Sequence, residues 1–370
     1  MRVLLDCRMA TWSGVGRYTT GLARALSAID DIQLVQVCAS GETPPVTAGP
    51  RAQVLTTSAS PLGARGAVEL GRLVRKAKPD LVHCPHFPTP APMRGPLVVT
   101  LHDFAPLQVA GVMPSALKRA VYRRWNARAV RLADRLVVPS RATEGNLVAL
   151  FPTAHGKLAV TPEAADDFSS GPIGPLSGKL AQVASTPYLL SMGNTKPHRD
   201  LPTLLRAFAR LAPSAHDLRL LLVGSEPPGY LDAKMVGLPP DIRARASFTG
   251  RVKDAELRAL YAGAAAFIFP SRYEGFGLPP LEAMAFGAPV VCADATSLPE
   301  VVGDAALLFP VGDAEVLARV LARVLDDATL REHMSRAGRD RAAQFTWERT
   351  SAATVAVYRQ ALQHFASRRA

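Results

Sequence analysis

Two carboxylates, Glu274 and Glu282, are separated by seven residues that begin Gly275-Phe276-Gly277-Leu278. A helix is predicted to start at about Leu278. A glycine-rich turn running into a helix leaves backbone N–H groups free and points the positive end of the helix dipole outward. Such a turn binds anions. Here one carboxylate precedes the helix and the other lies on its second turn. A ligand with phosphate at one end and hydroxyls on both sides fits that arrangement, and a nucleotide-sugar is such a ligand.

Three further stretches carry candidate chemistry. Gly14-Val15-Gly16-Arg17-Tyr18 follows a first apolar strand, and glycines there allow backbone to approach a ligand closely. The spacing does not complete a dinucleotide fingerprint, because Thr19 stands where the last glycine belongs and no acidic residue closes a second strand. His102-Asp103 ends another strand, where a histidine can donate to a hydroxyl or to backbone. His83 and His86 follow a third strand, and the residues leave a structural and a functional role equally open. Gly193-Asn194-Thr195-Lys196-Pro197-His198-Arg199-Asp200 links a strand to a helix. Arg199 offers a two-pronged grip on phosphate oxygens.

The elements that must position these residues form two series. Short, wholly apolar runs alternate with helical stretches, first from Val3 to Thr161 and again from Tyr188 to Phe309. Runs of that kind read as strands buried on both faces of a parallel sheet. Two such series predict an α/β chain with two Rossmann-like doubly wound domains. The boundaries expected are 1–168 for the first domain, a Gly/Pro/Ser-rich hinge over 169–187, 188–346 for the second domain, and a C-terminal helix over 347–370.

The segment from Ser271 to Val290 resembles the E-x7-E motif of the retaining GT-B glycosyltransferases of family 4. The likeness continues through Gly193–Leu211, Leu221–Gly224, Phe248–Ala264 and Ser297–Pro310, and more loosely through Arg8–Gly21, His102-Asp103 and Leu136–Ser140. The resemblance implies two domains facing across a cleft, with the C-terminal helix crossing back to the first. It implies that His102 and Glu274 orient the transferred hexose and that Glu282 takes the ribose hydroxyls. It places the donor against Gly14, Gly16, Asn194, Arg199, Gly224, Val252, Gly275, Phe276, Gly277 and Leu278, and the acceptor near Arg17, Tyr18 and Asp103. Arg199 stands where family members carry lysine, and Asn194 where some carry arginine. His198 or Lys196 is the expected substitute for that charge. Ser13 replaces a glycine common in the family, and its hydroxyl can donate to an anion.

What the resemblance implies is a sugar transferase acting on a glycan or polyprenyl-diphosphate-linked acceptor in bacterial surface-polysaccharide synthesis. Overall likeness points to mannose from GDP-mannose. A UDP-sugar transferase or epimerase on the same fold, and an inactive nucleotide-sugar-binding protein, remain open beside it. No cofactor is expected. The chain has no Asp-x-Asp, the element expected of metal-dependent transferases of the other fold, so metal independence is expected as well.

Composition bounds the rest. The 370 residues are 48% hydrophobic and 20% charged, as in a globular chain. Cys7, Cys38, Cys84 and Cys292 are scattered, which supports neither zinc nor a disulfide framework and suits a reducing, cytoplasmic setting. An immediate first strand leaves no room for a signal peptide, and no apolar run approaches a membrane span. The net charge of +12 suits an anionic partner. Ser115–Leu136 reads as one amphipathic helix with Arg124, Arg128, Arg131 and Arg135 in a single stripe. That stripe is an ordinary surface face or a contact to anionic lipid at the inner membrane face. No aromatic residues interleave its charges, which disfavours nucleic acid.

Overall fold

The computed structural model describes residues 1–368. The side chains of Ser13 and Lys179 lie outside the described residues, as do Arg369 and Ala370. The anion role expected of the Ser13 hydroxyl and the last two positions of the C-terminal helix therefore fall outside it.

The chain folds into two α/β units, each a parallel sheet with helices packed on it. The first contains residues 1–107 and 113–164 and the segment from Thr346 onward. Its strands are β1 (Arg2–Asp6), β2 (Gln33–Ala39), β3 (Ala52–Thr57), β4 (Leu81–Cys84), β5 (Leu97–Thr100), β6 (Arg135–Val138) and β7 (Leu158–Val160). They lie in the order β3-β2-β1-β4-β5-β6-β7, all parallel. Alternate residues of β1 enter different cores, Leu4 on one face and Val3 with Leu5 on the other, so the strand is apolar throughout. The face with Val3 and Leu5 is covered by the helices Ser13–Ser27 and Trp347–Ser367. Gly21 makes room for the second of these. A Cβ there would lie 2.1 Å from Cε2 of Trp347. Thr346 caps that helix by accepting from the Arg349 N–H at 3.3 Å.

The second unit holds residues 108–112 and 165–345. Its strands are β8 (Tyr188–Met192), β9 (Arg219–Val223), β10 (Ala246–Phe248), β11 (Ala266–Phe269), β12 (Val290–Ala293) and β13 (Ala306–Phe309). Their order is β10-β9-β8-β11-β12-β13, again parallel. The strand order reverses between β8 and β11, so those strands flank the switch point where ligands of doubly wound sheets bind.

Two differences from the sequence reading are physical. The stretch 169–187, expected as a hinge, carries structure of its own. It forms a helix over Gly178–Val183, its Gly174 N–H donates to the Ala255 carbonyl at 3.0 Å, and Arg258 Nη1 donates to the Pro172 carbonyl at 2.9 Å. These bonds attach it to the second unit. The long basic helix ends at Leu132 and Arg135 opens β6. Arg135 bonds Gln360, and Arg128 donates to Thr89 and to the Pro90 carbonyl. Arg124 and Arg131 alone of the four stay exposed.

Candidate active site

In the second unit the loops after β8 and β11 meet. The Arg272 N–H donates to the His198 carbonyl at 2.8 Å, and Arg272 Nε lies 2.8 Å from Asp200 Oδ2. Asp200 also accepts from the Thr203 hydroxyl at 2.8 Å. These partners hold Asp200 at φ 45°, a left-handed value uncommon for a non-glycine residue. The single helical turn Pro197–Arg199 is thereby fixed, and Arg199 with it. The Arg199 guanidinium pairs with Glu274 and stacks 5.2 Å from the centre of the Phe269 ring.

The turn that carries Glu274 is braced from behind β12. The Glu274 N–H donates to Thr296 Oγ1 at 2.9 Å, and that hydroxyl donates back to the Glu274 carbonyl at 3.0 Å. Ser297 Oγ donates to the Phe276 carbonyl at 2.7 Å. Gly277 has φ 121°, which strongly favours glycine, and it opens the helix Leu278–Ala285. Glu282, buried on the second turn of that helix, accepts from the Tyr261 hydroxyl at 3.0 Å.

Gly275, Phe276, Gly277 and Leu278 thus share one turn with Glu274, and Glu282 follows on the same helix. Gly224 and Val252 lie on the same edge of the sheet. The Gly250 N–H donates to the Gly224 carbonyl at 2.9 Å and closes β9 against β10. Asn194 is exposed, and its side chain accepts from the Lys196 N–H at 3.0 Å within its own loop. His198 does not supply a substitute charge. Burial, then the charges of Arg199 and Lys196, push it down to about 4, so it is neutral at pH 7. Among the described residues, buried polar atoms without a partner include Ser191 Oγ, His198 Nδ1, Arg199 Nε and Ser271 Oγ, all on the strands or loops at this switch point. Buried polar atoms grouped in this way require a partner, either water or a polar ligand.

In the first unit the switch point lies between β1 and β4. Arg8 is buried there in a two-pronged pair with Asp6, Nε–Oδ1 2.8 Å and Nη2–Oδ2 2.7 Å, and donates to the Gly66 carbonyl at 3.0 Å. Gly16 is required by packing, since a Cβ would lie 2.4 Å from the Ala10 carbonyl oxygen. Gly14 has open space around it. Arg17 is half-buried on the same helix. Tyr18, expected near an acceptor, is core. Its hydroxyl lies 3.1 Å from Thr100 Oγ1, which continues to His83 Nε2 at 2.8 Å, and His83 Nδ1 lies 2.7 Å from the Tyr358 hydroxyl. His83 is therefore structural, and burial with the nearby His102 pushes it down to about 3. Asp103 caps the Ala105 N–H at 2.9 Å.

His102 sits directly after β5 with both ring nitrogens engaged. Nδ1 is 2.8 Å from Glu163 Oε1 and Nε2 is 2.8 Å from the Pro85 carbonyl oxygen. Sequence reasoning missed Glu163, Tyr261, Thr296 and Ser297. Glu163 was within reach of one signal, because it follows β7 at the carboxyl edge where ligands bind.

Residues 12–167 match the family model described as Glycosyltransferase Family 4, and residues 176–341 the one described as Glycosyl transferases group 1. The O-antigen chain mannosyltransferase B of Escherichia coli is 38% identical over 180 residues, which are 48% of this chain and 47% of that protein. This chain thus spans about half the length of that relative. The MMP alpha-(1->4)-mannosyltransferase of Mycolicibacterium hassiacum is 31% identical over 295 residues, 75% of this chain and 68% of that protein. Among solved structures, a sucrose-phosphate synthase from Thermosynechococcus elongatus shares the fold with a TM-score of 0.77 at 20% identity, covering 97% of this chain and 98% of its own.

Proposed function

Because the chain belongs to the family 4 glycosyltransferases of the GT-B fold, we propose that it moves a hexose from a nucleoside-diphosphate sugar to a glycan or lipid-linked acceptor in bacterial surface-polysaccharide synthesis. The donor in this reading is GDP-mannose; two relatives named as mannosyltransferases support the sugar, and the base is this reading's own. Transfer proceeds with retention and without a metal.

One observation carries the donor reading. Arg199, Glu274 and the Gly275–Leu278 turn converge at the switch point of the second unit, with Glu282 one turn deeper. The departing diphosphate develops negative charge, which Arg199 and the start of the helix Leu278–Ala285 would stabilise. Glu282 would accept the ribose hydroxyls and Glu274 those of the hexose. Arg124 and Arg131 would carry any contact with an anionic membrane face.

A thermal-shift panel of GDP- and UDP-sugars tests the reading, since a ligand that binds only the folded state raises its melting point. GDP-mannose is expected to give the largest shift, and Glu282→Ala to abolish it. A shift with UDP-sugars alone would replace the base assignment. Transfer that persists in a chelator supports metal independence, and transfer lost there refutes it.

The exposed Asn194 and neutral His198 favour a second reading, a nucleotide-sugar-binding protein without transfer, because the diphosphate then meets one guanidinium and the exposed Lys196. Release of mannose from GDP-mannose by the purified chain, in excess of the buffer blank, separates the two.

A further inference from the structure

The pair His102–Glu163 carries the furthest inference. We propose that Glu163 is a positioning residue that holds His102 as a doubly protonated imidazolium, so that His102 acts as a hydrogen-bond donor and fixed positive charge and never as a base. This rests on the transferase reading only for the role toward the transferred hexose that the family resemblance implies for His102.

The geometry fixes the Nε2 proton and, with Glu163 ionised, the Nδ1 proton. The Pro85 carbonyl oxygen, 2.8 Å from Nε2, can only accept, so Nε2 carries a hydrogen. Glu163 Oε1, 2.8 Å from Nδ1, accepts when ionised, so Nδ1 carries one too. Moving the second proton onto Glu163 leaves the proton count of the pair unchanged. Both residues are buried, His102 at 8% and Glu163 at 5% exposure. Burial works against the charge on His102. The Glu163 hydrogen bond and charge, the Pro85 carbonyl and the Asp103 charge outweigh it, and the net direction is upward from 6.5.

The other neighbours do not compete. Tyr18 meets the His102 ring edge-on at 4.7 Å, and burial pushes its hydroxyl upward, so it stays neutral. His86 lies 6.3 Å away between ring centres. It and His83 are each pushed down to about 3 by burial and by His102, so both are neutral. The Asp103 carboxylate is turned to the Ala105 N–H. Thr143, from the helix Arg141–Leu150, is uncharged and donates to the His102 carbonyl at 3.4 Å. A saturated imidazolium has no lone pair with which to take a proton. It can exchange the Pro85 carbonyl for a sugar hydroxyl or a phosphate oxygen and keep its charge.

The test is ring-nitrogen NMR of the full chain labelled with ¹⁵N-histidine, with the His102 signal assigned by its loss in His102→Asn. In the wild type both His102 nitrogens are expected to be protonated at pH 7, with a midpoint above that of free histidine. Glu163→Gln is expected to lower that midpoint by about one pH unit or more, the shift an opposite charge at this range produces. Glu163→Asp should retain most of it. In donor turnover, the alkaline limb of kcat/KM should move down by the same amount in Glu163→Gln, which a merely structural role would not produce. A neutral His102 in the wild type at pH 7, or an unmoved midpoint in Glu163→Gln, overturns the proposal. If Glu163→Gln does not fold, the wild-type spectrum and the aspartate variant decide. A shifted NMR midpoint beside an unmoved alkaline limb refutes the role of His102 toward the donor and leaves the protonation assignment standing.

Discussion

Replacing Glu274 by glutamine should tighten the binding of a bare nucleoside diphosphate while abolishing sugar transfer. Without ligand, Arg199 and Glu274 neutralise each other, with side chains 22% and 11% exposed. Exposed pairs contribute about 0–1 kcal/mol, and removing one partner of a fully buried pair costs about 3–5 kcal/mol. This pair lies between those limits, at about 1–2 kcal/mol. A phosphate that takes the guanidinium must first displace or share the carboxylate, so it forfeits that amount. Glutamine keeps the shape and removes the competing charge. At 1.4 kcal/mol per tenfold, affinity for GDP should rise by roughly 5–30-fold. Isothermal titration with GDP and with UDP, at low and at high salt, reads the effect, and the gain should shrink as salt screens the phosphate. Arg199→Ala should weaken the same ligands. An unchanged or weaker Kd for Glu274→Gln would refute the reasoning, because Glu274 would then not compete with phosphate for Arg199.

Gly16→Ala should destabilise the first unit by about 1–3 kcal/mol, because the new Cβ meets a backbone carbonyl at 2.4 Å, whereas Gly14→Ala meets nothing and should unfold like the wild type. Urea titration of both variants compares them, and equal midpoints would remove the packing role given to Gly16. Tyr261→Phe removes a hydrogen bond to a buried carboxylate and should lower the stability of the second unit by about 1.5–3 kcal/mol; a loss below 0.5 kcal/mol on the scale of surface changes (~0.5) would show that Glu282 does not depend on it. Stability should fall as pH drops below 6.5, since His83 and His86 at about 3 and His198 at about 4 stay neutral in the fold while the unfolded chain takes up their protons. Each group adds a slope of about 1.4 kcal/mol per pH unit. His102, raised in the fold, acts oppositely. Its contribution is complete below 6.5 and is lost as pH climbs through its folded midpoint. Denaturant titrations at pH 7, 6 and 5 that agree with one another would contradict the acid branch.

Strands and their order of appearance were legible because burial on both faces leaves an unmistakable mark. Tyr188–Met192, apolar but for Ser191, and Val290–Ala293 are short runs of this kind, and both are interior strands. The turn before Leu278 was legible for a similar reason, since glycine at φ 121° and two prolines in the first helical turn are local requirements written into local residues. Helix ends were harder. The pattern through Ser115–Leu136 kept its helical period past Leu132, but Ala133 is extended and Arg135 already pairs with Val98 in the sheet. A period cannot show where a chain leaves one layer for another.

The candidate site was legible in its residues and not in their partners, and the reason is distance along the chain. Glu163 reaches His102 across 61 positions, Arg199 reaches Glu274 across 75, and Tyr261 reaches Glu282 across 21. None of these separations has a period, because the sheet sets them. Each joins residues at the carboxyl ends of parallel strands, or on the helices that follow, and adjacency there depends on strand order. β8 and β11 are neighbours in space with two other strands between them in sequence. The same ordering explains why reading each residue alone assigned it directly to a ligand. Arg199 is paired with Glu274, Glu282 with Tyr261 and His102 with Glu163, so a ligand at any of the three must share with or displace a protein partner already in place. Binding at such positions is a difference between two sets of contacts, and a substitution of the protein partner can strengthen it as readily as a substitution of the residue itself can weaken it.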